Sequence, residues 1–126
     1  MATLPPADSE YLASKGLNYE VIEDGGTVGL IIRGYVLPEG KYDAATADIL
    51  ILLPSGYPDI APDMFHLLPW VKLVNGNKYP IKADRPVTFI GQSWQRWSRH
   101  NKEWRAGTDG IWTMLKRVEA ALEVAK

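Results

Sequence analysis

Apolar and polar positions along the chain follow two different periods, and each period predicts an element. Pro5-Pro6 precede a stretch with Asp8 placed as an N-cap and Gly16 where a helix end takes a left-handed residue. That pattern predicts a short N-terminal helix anchored by Leu12. Tyr19 to Asp24 and Thr27 to Leu37 are β-rich runs separated by Gly25-Gly26, a pair that can take positive φ at both central positions of a tight hairpin. In the second run Val28, Leu30, Ile32 and Val36 are expected on one face. Ala47 to Leu53 contains a continuous apolar run, Ile49 to Leu53, which predicts a central strand covered on both sides and closed by Pro54. After a proline-rich turn (Pro54, Pro58, Pro62), Asp63 to Leu68 reads as a fourth strand. From Pro69 to Gly107 the periodic signal collapses, and a long irregular segment is expected. A helix then returns, capped by Thr108 or Asp109, with Ile111, Leu115, Val118, Leu122 and Ala125 at 3–4 spacing and Met114 and Ala121 widening the stripe. The expected class is α+β: an N-terminal helix, a four-strand antiparallel meander, a long irregular segment and a C-terminal helix, in a single domain over residues 1–126.

Composition removes several kinds of chemistry. The 126 residues contain no cysteine, which excludes disulfides, thiolate metal sites and every thiol nucleophile. No apolar run approaches the roughly 20 residues of a membrane span. The start, Met1 to Glu10, has neither a basic region nor an apolar stretch of the secretory kind, so a cytoplasmic protein is expected. The formal net charge of −1 conceals an asymmetry. Residues 1–63 carry three basic side chains against ten acidic ones, and residues 64–126 carry eleven against five. If the halves segregate in space, the molecule is dipolar and steers charged partners.

Most conventional sites can be set aside. Gly25 to Gly29 is rich in glycine, but a strand rather than a helix follows, so no helix amides are presented to a phosphate. His66 and His100 have no second ligand at metal-site spacing, so neither a metal nor a cofactor is expected, and His66 reads as a structural strand residue. The acidic pairs Glu23-Asp24 and Asp59/Asp63 sit beside turns, where aspartate favours local backbone bonding.

The segment Trp94 to Arg105 stands apart, with three tryptophans, four basic residues (Arg96, Arg99, Lys102, Arg105) and His100 within twelve positions. Indoles beneath a loop with arginines laid over them make one reading. Indole and guanidinium together also suit an anionic peptide or stacked bases, which makes a nucleic-acid module an alternative. No RNA-binding or helix-turn-helix signature supports that alternative. Ser98 and His100 are candidates for a nucleophile–base pair, although no orienting acid is evident in the sequence.

Leu4-Pro5-Pro6, Pro54 with Tyr57-Pro58-Asp59, Trp94 with Trp97-Ser98-Arg99-His100, and Trp104-Arg105 with Gly107 and Asp109 together resemble the ubiquitin-conjugating (UBC) superfamily. More narrowly they resemble its prokaryotic family E, over roughly residues 4–122. The resemblance implies a UBC-like fold in a bacterial ubiquitin-like conjugation pathway, alongside an adenylating activating enzyme, a ubiquitin-like protein and a metalloprotease-type deconjugase. The superfamily's cysteine has no counterpart; its place by count falls on Arg96, and the His-Pro-Asn string is absent. The resemblance to a UBC variant therefore implies a non-catalytic adaptor that binds the activating enzyme, the ubiquitin-like protein or both. Its contact surface is expected at Trp97, Ser98, Arg99, His100 and Arg105, with Tyr57, Pro58, Trp94 and Trp104 as structural support. An acyl carrier or transferase using Ser98 or His100 in place of cysteine is the alternative.

Overall fold

The computed structural model describes residues 4–100 and 103–126. Its elements run α1 (Pro6–Ser14), β1 (Asn18–Asp24), β2 (Thr27–Val36), β3 (Thr46–Leu53), β4 (Phe65–Leu68), β5 (Arg85–Phe89), β6 (Gln92–Trp97) and α2 (Ile111–Val124). The strands form one six-stranded sheet, antiparallel throughout, in the order β1-β2-β3-β4-β6-β5. The four-strand meander is present as β1 to β4, and β3 is interior as its two-sided apolar pattern requires. Gly25 and Gly26 join β1 to β2 with φ of 59° and 86°, the double positive φ of a tight hairpin turn.

The expectation of only four strands is corrected. Arg85 to Trp97 forms a further hairpin, and β6 pairs with β4 at the side where the meander would have ended. Its two-residue turn is Ile90-Gly91, with φ of 47° and 71°, and the Ile90 amide donates to Asp24 Oδ2 at 2.8 Å. Isoleucine at positive φ is a rare turn residue, so no turn signal marks this hairpin.

Packing divides into two clusters. On one face α1 and α2 cover Leu30, Ile32, Ile49, Ile51, Phe65, Leu67 and Trp97. From α2, Ile111, Met114, Leu115, Val118, Ala121 and Leu122 are buried, which is the stripe its 3–4 spacing predicts. On the other face Ile31 and Leu50 meet Phe89 and Trp94 from the second hairpin. Gly29 makes that approach possible: a Cβ there would lie 2.6 Å from Phe89 Cζ and 2.8 Å from Leu50 Cδ1.

Three local expectations are also corrected. Val36 is 74% exposed rather than in line with Leu30 and Ile32, because a bulge between Ile32 and Tyr35 shifts the register by one residue. Asp8 does not cap α1, whose N-cap is Pro5. It is buried instead, and its Oδ1 accepts the Ile111 amide at the start of α2 at 3.1 Å. The N-cap of α2 is Gly110, not Thr108 or Asp109, and its amide donates to Thr113 Oγ1 at 3.3 Å.

Candidate functional site

After β6 the chain leaves the sheet and runs back along the proline-rich turn between β3 and β4. Two side chains join the segments. His100 Nδ1 lies 3.0 Å from Asp63 Oδ1 and 3.1 Å from its Oδ2, with both side chains exposed. Trp104 Nε1 donates to the Pro58 carbonyl at 2.8 Å, and its ring sits tilted against Tyr57 with centroids 6.4 Å apart. The Tyr57–Pro58 peptide is cis. Tyr57 in turn donates its hydroxyl to Asp8 Oδ2 at 2.5 Å. Burial, and then the Asp8 carboxylate, push the Tyr57 phenol well above its ordinary range. Tyr57, Pro58 and Trp104 thus form one structural unit that ties the segment after β6 to both helices.

The residues expected on the contact surface divide by depth. Trp97 lies below it: the side chain is fully buried, stacked on Phe65 at 5.3 Å and edge-on to Tyr42 at 6.1 Å. Trp94 is equally buried and donates to the Phe89 carbonyl at 3.2 Å. Neither indole is accessible for base stacking, which removes the main support for a nucleic-acid module. Arg99 is half-buried with its guanidinium 5.2 Å over the Trp97 ring, and its Nη1 donates to the Ser98 carbonyl at 3.2 Å. Desolvation lowers the Arg99 pKa from its ordinary value. Burial pushes the neighbouring Tyr42 phenol up to about 12, partly offset by that guanidinium. Lys102 lies outside the described residues.

Arg105 is the most accessible of the set, with a side chain 76% exposed. Its backbone amide donates to Asp109 Oδ2 at 2.8 Å, and Asp109 Oδ1 accepts the Thr113 hydroxyl at 3.1 Å. The Arg105 amide is the chief reason that the Asp109 carboxyl is held below its ordinary pKa. This turn aims the Arg105 guanidinium outward, where its own contact to Asp109 is long at 3.4 Å.

The candidate pair Ser98 and His100 does not assemble. His100 Nδ1 engages Asp63, and among the described residues the Ser98 hydroxyl has no hydrogen-bond partner. The orienting acid that the sequence did not reveal is Asp63, 37 residues away. Its position beside Pro62 reads as a turn residue, and no local pattern links it to His100. The accessible groups are therefore the His100–Asp63 dyad and the Arg105 guanidinium, with Ser98 half-buried. Together they make a polar rim along the segments that the Tyr57–Trp104 contact joins.

With the helices on one sheet face and the Tyr57-Pro58 turn held by Trp104 in place, comparison with known families is decisive. The family described as Prokaryotic E2 family E matches residues 4–125. The chain belongs to that family. Membership associates this E2-like protein with a prokaryotic E2-like ubiquitin-conjugation pathway, in which such proteins meet an activating enzyme and a ubiquitin-like protein. No curated protein and no solved structure gives a significant match. No described helix is long and apolar enough to cross a membrane. No group of potential metal ligands assembles among the described residues.

Proposed function

We propose that this E2-like protein acts as a non-catalytic adaptor in its conjugation pathway, binding the activating enzyme, the ubiquitin-like protein or both through the rim at Ser98, His100 and Arg105. The observation that carries the reading is the absence of cysteine from the 126 residues of a chain that belongs to an E2 family. A thioester requires a thiolate, and a serine hydroxyl is a weak nucleophile unless a base activates it. Among the described residues no hydrogen bond joins the Ser98 hydroxyl to His100, whose Nδ1 contacts Asp63. An exposed arginine next to aromatic support is the kind of anchor that dominates protein interfaces.

The test is a pull-down with a cognate activating enzyme and ubiquitin-like protein, comparing the wild type with Arg105→Ala. Binding that weakens in the variant without loss of fold supports the adaptor; undiminished binding removes Arg105 from the surface.

One observation favours a second reading, with His100 rather than Ser98 as acyl acceptor. Asp63 holds Nδ1 of the His100 ring, so Nε2 is free to attack an activated acyl carbon and displace its thiolate or adenylate. A covalent adduct that disappears in His100→Ala and persists in Ser98→Ala is its signature.

A further inference from the structure

The sheet face opposite the helices carries two arginines that form no ion pair with any described residue. Strand register places Glu20, Ile31, Leu50, His66, Arg96 and Arg85 opposite one another across all six strands. Arg96 and Arg85 therefore face each other directly across the β5–β6 hairpin, an arrangement that destabilises a sheet unless an anion lies between them. Among the described residues neither guanidinium forms a hydrogen bond or an ion pair. Arg96 Nε is buried with no acceptor. A buried N–H without an acceptor is costly, and a ligand that accepts from it would complete the site.

Arg96 and His66 line a cavity of about 420 Å³, whose apolar wall includes Leu52, Met64 and Val87. That volume lies within the roughly 300–1,000 Å³ of small-molecule sites. His66 is 2% exposed, and its Nδ1 sits 3.2 Å from the Leu50 carbonyl, which fixes the proton on Nδ1. Burial lowers its pKa despite that bond, and Arg96 adds to the lowering, so the ring is neutral and the charged side chains lining the cavity are Arg96 and Asp63. The Asp63 carboxylate, which is held by His100, repels a doubly charged ligand more than a singly charged one. A guanidinium without an ion pair beside an apolar wall suits a monoanion with a hydrocarbon body.

We propose that this groove binds an aliphatic carboxylate, with its head group on Arg96, Arg85 alongside, and its chain over Leu52, Met64 and Val87. The site lies on the outer sheet face and does not depend on the adaptor reading.

The experiment is titration calorimetry of the whole protein with octanoate, 1-octanol and inorganic phosphate. Octanoate should bind at least about tenfold more tightly than either control, and Arg96→Gln should weaken it by at least about tenfold, the loss expected when a charge-assisted hydrogen bond is removed. Val87→Glu is the second variant: it places a carboxylate of the protein's own beside Arg96 and should weaken octanoate similarly. It carries the test if Arg96→Gln fails to fold. Absence of octanoate binding at millimolar concentration overturns the proposal. So does octanol binding as well as octanoate, which would mark a purely apolar groove, or phosphate binding as well as octanoate, which would mark an unselective anion site. Octanoate affinity unchanged in a folded variant overturns it too.

Discussion

Asp8→Ala should unfold this protein far more readily than its place in a nine-residue helix suggests. Asp8 is 1% exposed and holds three parts of the fold at once. Its Oδ1 accepts the first amide of α2 at 3.1 Å, and its Oδ2 accepts the Tyr57 hydroxyl at 2.5 Å. α2 has no side-chain cap of its own at Gly110, so Asp8 supplies the cap from another element. Losing a cap costs about 0.5–2 kcal/mol, and a hydrogen bond to a charged group is worth about 1.5–3 kcal/mol. The truncation also leaves the Ile111 amide and the Tyr57 hydroxyl without their partner, so the combined loss is about 2–4 kcal/mol. For a chain of this size that corresponds to a fall in Tm of roughly 8–16 °C.

Urea unfolding of wild type, Asp8→Ala, Tyr57→Phe and the double variant measures both the loss and its sharing. Tyr57→Phe removes one bond and should cost about 1–2 kcal/mol. The double variant should cost less than the sum of the two, because both singles break the same contact. A loss below about 0.5 kcal/mol for Asp8→Ala, the scale of ordinary surface changes, would refute the view that Asp8 joins the helices to the proline turn.

Four further outcomes follow from the same geometry. Gly110→Ala should destabilise by about 1–3 kcal/mol in thermal unfolding, because its Cβ would lie 2.6 Å from Trp112 Cη2 and 2.8 Å from Asp8 Oδ1. Arg105→Ala should leave Tm almost unchanged. Trp104→Ala, which loses a half-buried indole and its bond to Pro58, should cost about 2–3 kcal/mol, somewhat under the range for a fully buried tryptophan. His66 has a folded pKa below its unfolded value, so the folded state binds fewer protons. Its contribution is present above about pH 6.5 and declines as the pH falls from there through the lowered folded pKa. Urea titrations across that interval should show the decline in wild type and a shallower one in His66→Gln.

The parts of the fold legible in the sequence are those where one period governs a whole element. The stripe Ile111, Leu115, Val118 and Leu122 is buried as spaced, and the apolar run of β3 lies between two strands with a buried cluster on each face. The second hairpin was hidden by chemistry that mimics a loop. Gln95 is polar yet fully buried, because its side-chain amide bonds both backbone groups of Val71 and the Ala83 carbonyl. It stitches the irregular segment to β6 while erasing the strand's apolar alternation. Pro86 on edge strand β5 and the Ile90-Gly91 turn complete the disguise. At the candidate site, the tryptophan–arginine density of the sequence did not distinguish buried side chains from exposed ones. Trp97 and Arg105 look alike as interface residues in the sequence, whereas one is stacked on Phe65 and the other points outward. Asp63 and Asp8 act through partners 37 and 103 residues away, distances over which no local pattern carries information.

Whether this E2-like chain carries an acyl group is read by incubating it with a cognate activating enzyme, ubiquitin-like protein and ATP, followed by intact-mass spectrometry of the whole protein. For an adaptor the mass should stay that of the unmodified chain while binding to a partner is retained in solution. An added mass equal to the ubiquitin-like protein less water, lost in His100→Ala or Ser98→Ala, would overturn the adaptor and establish an oxygen- or nitrogen-linked carrier.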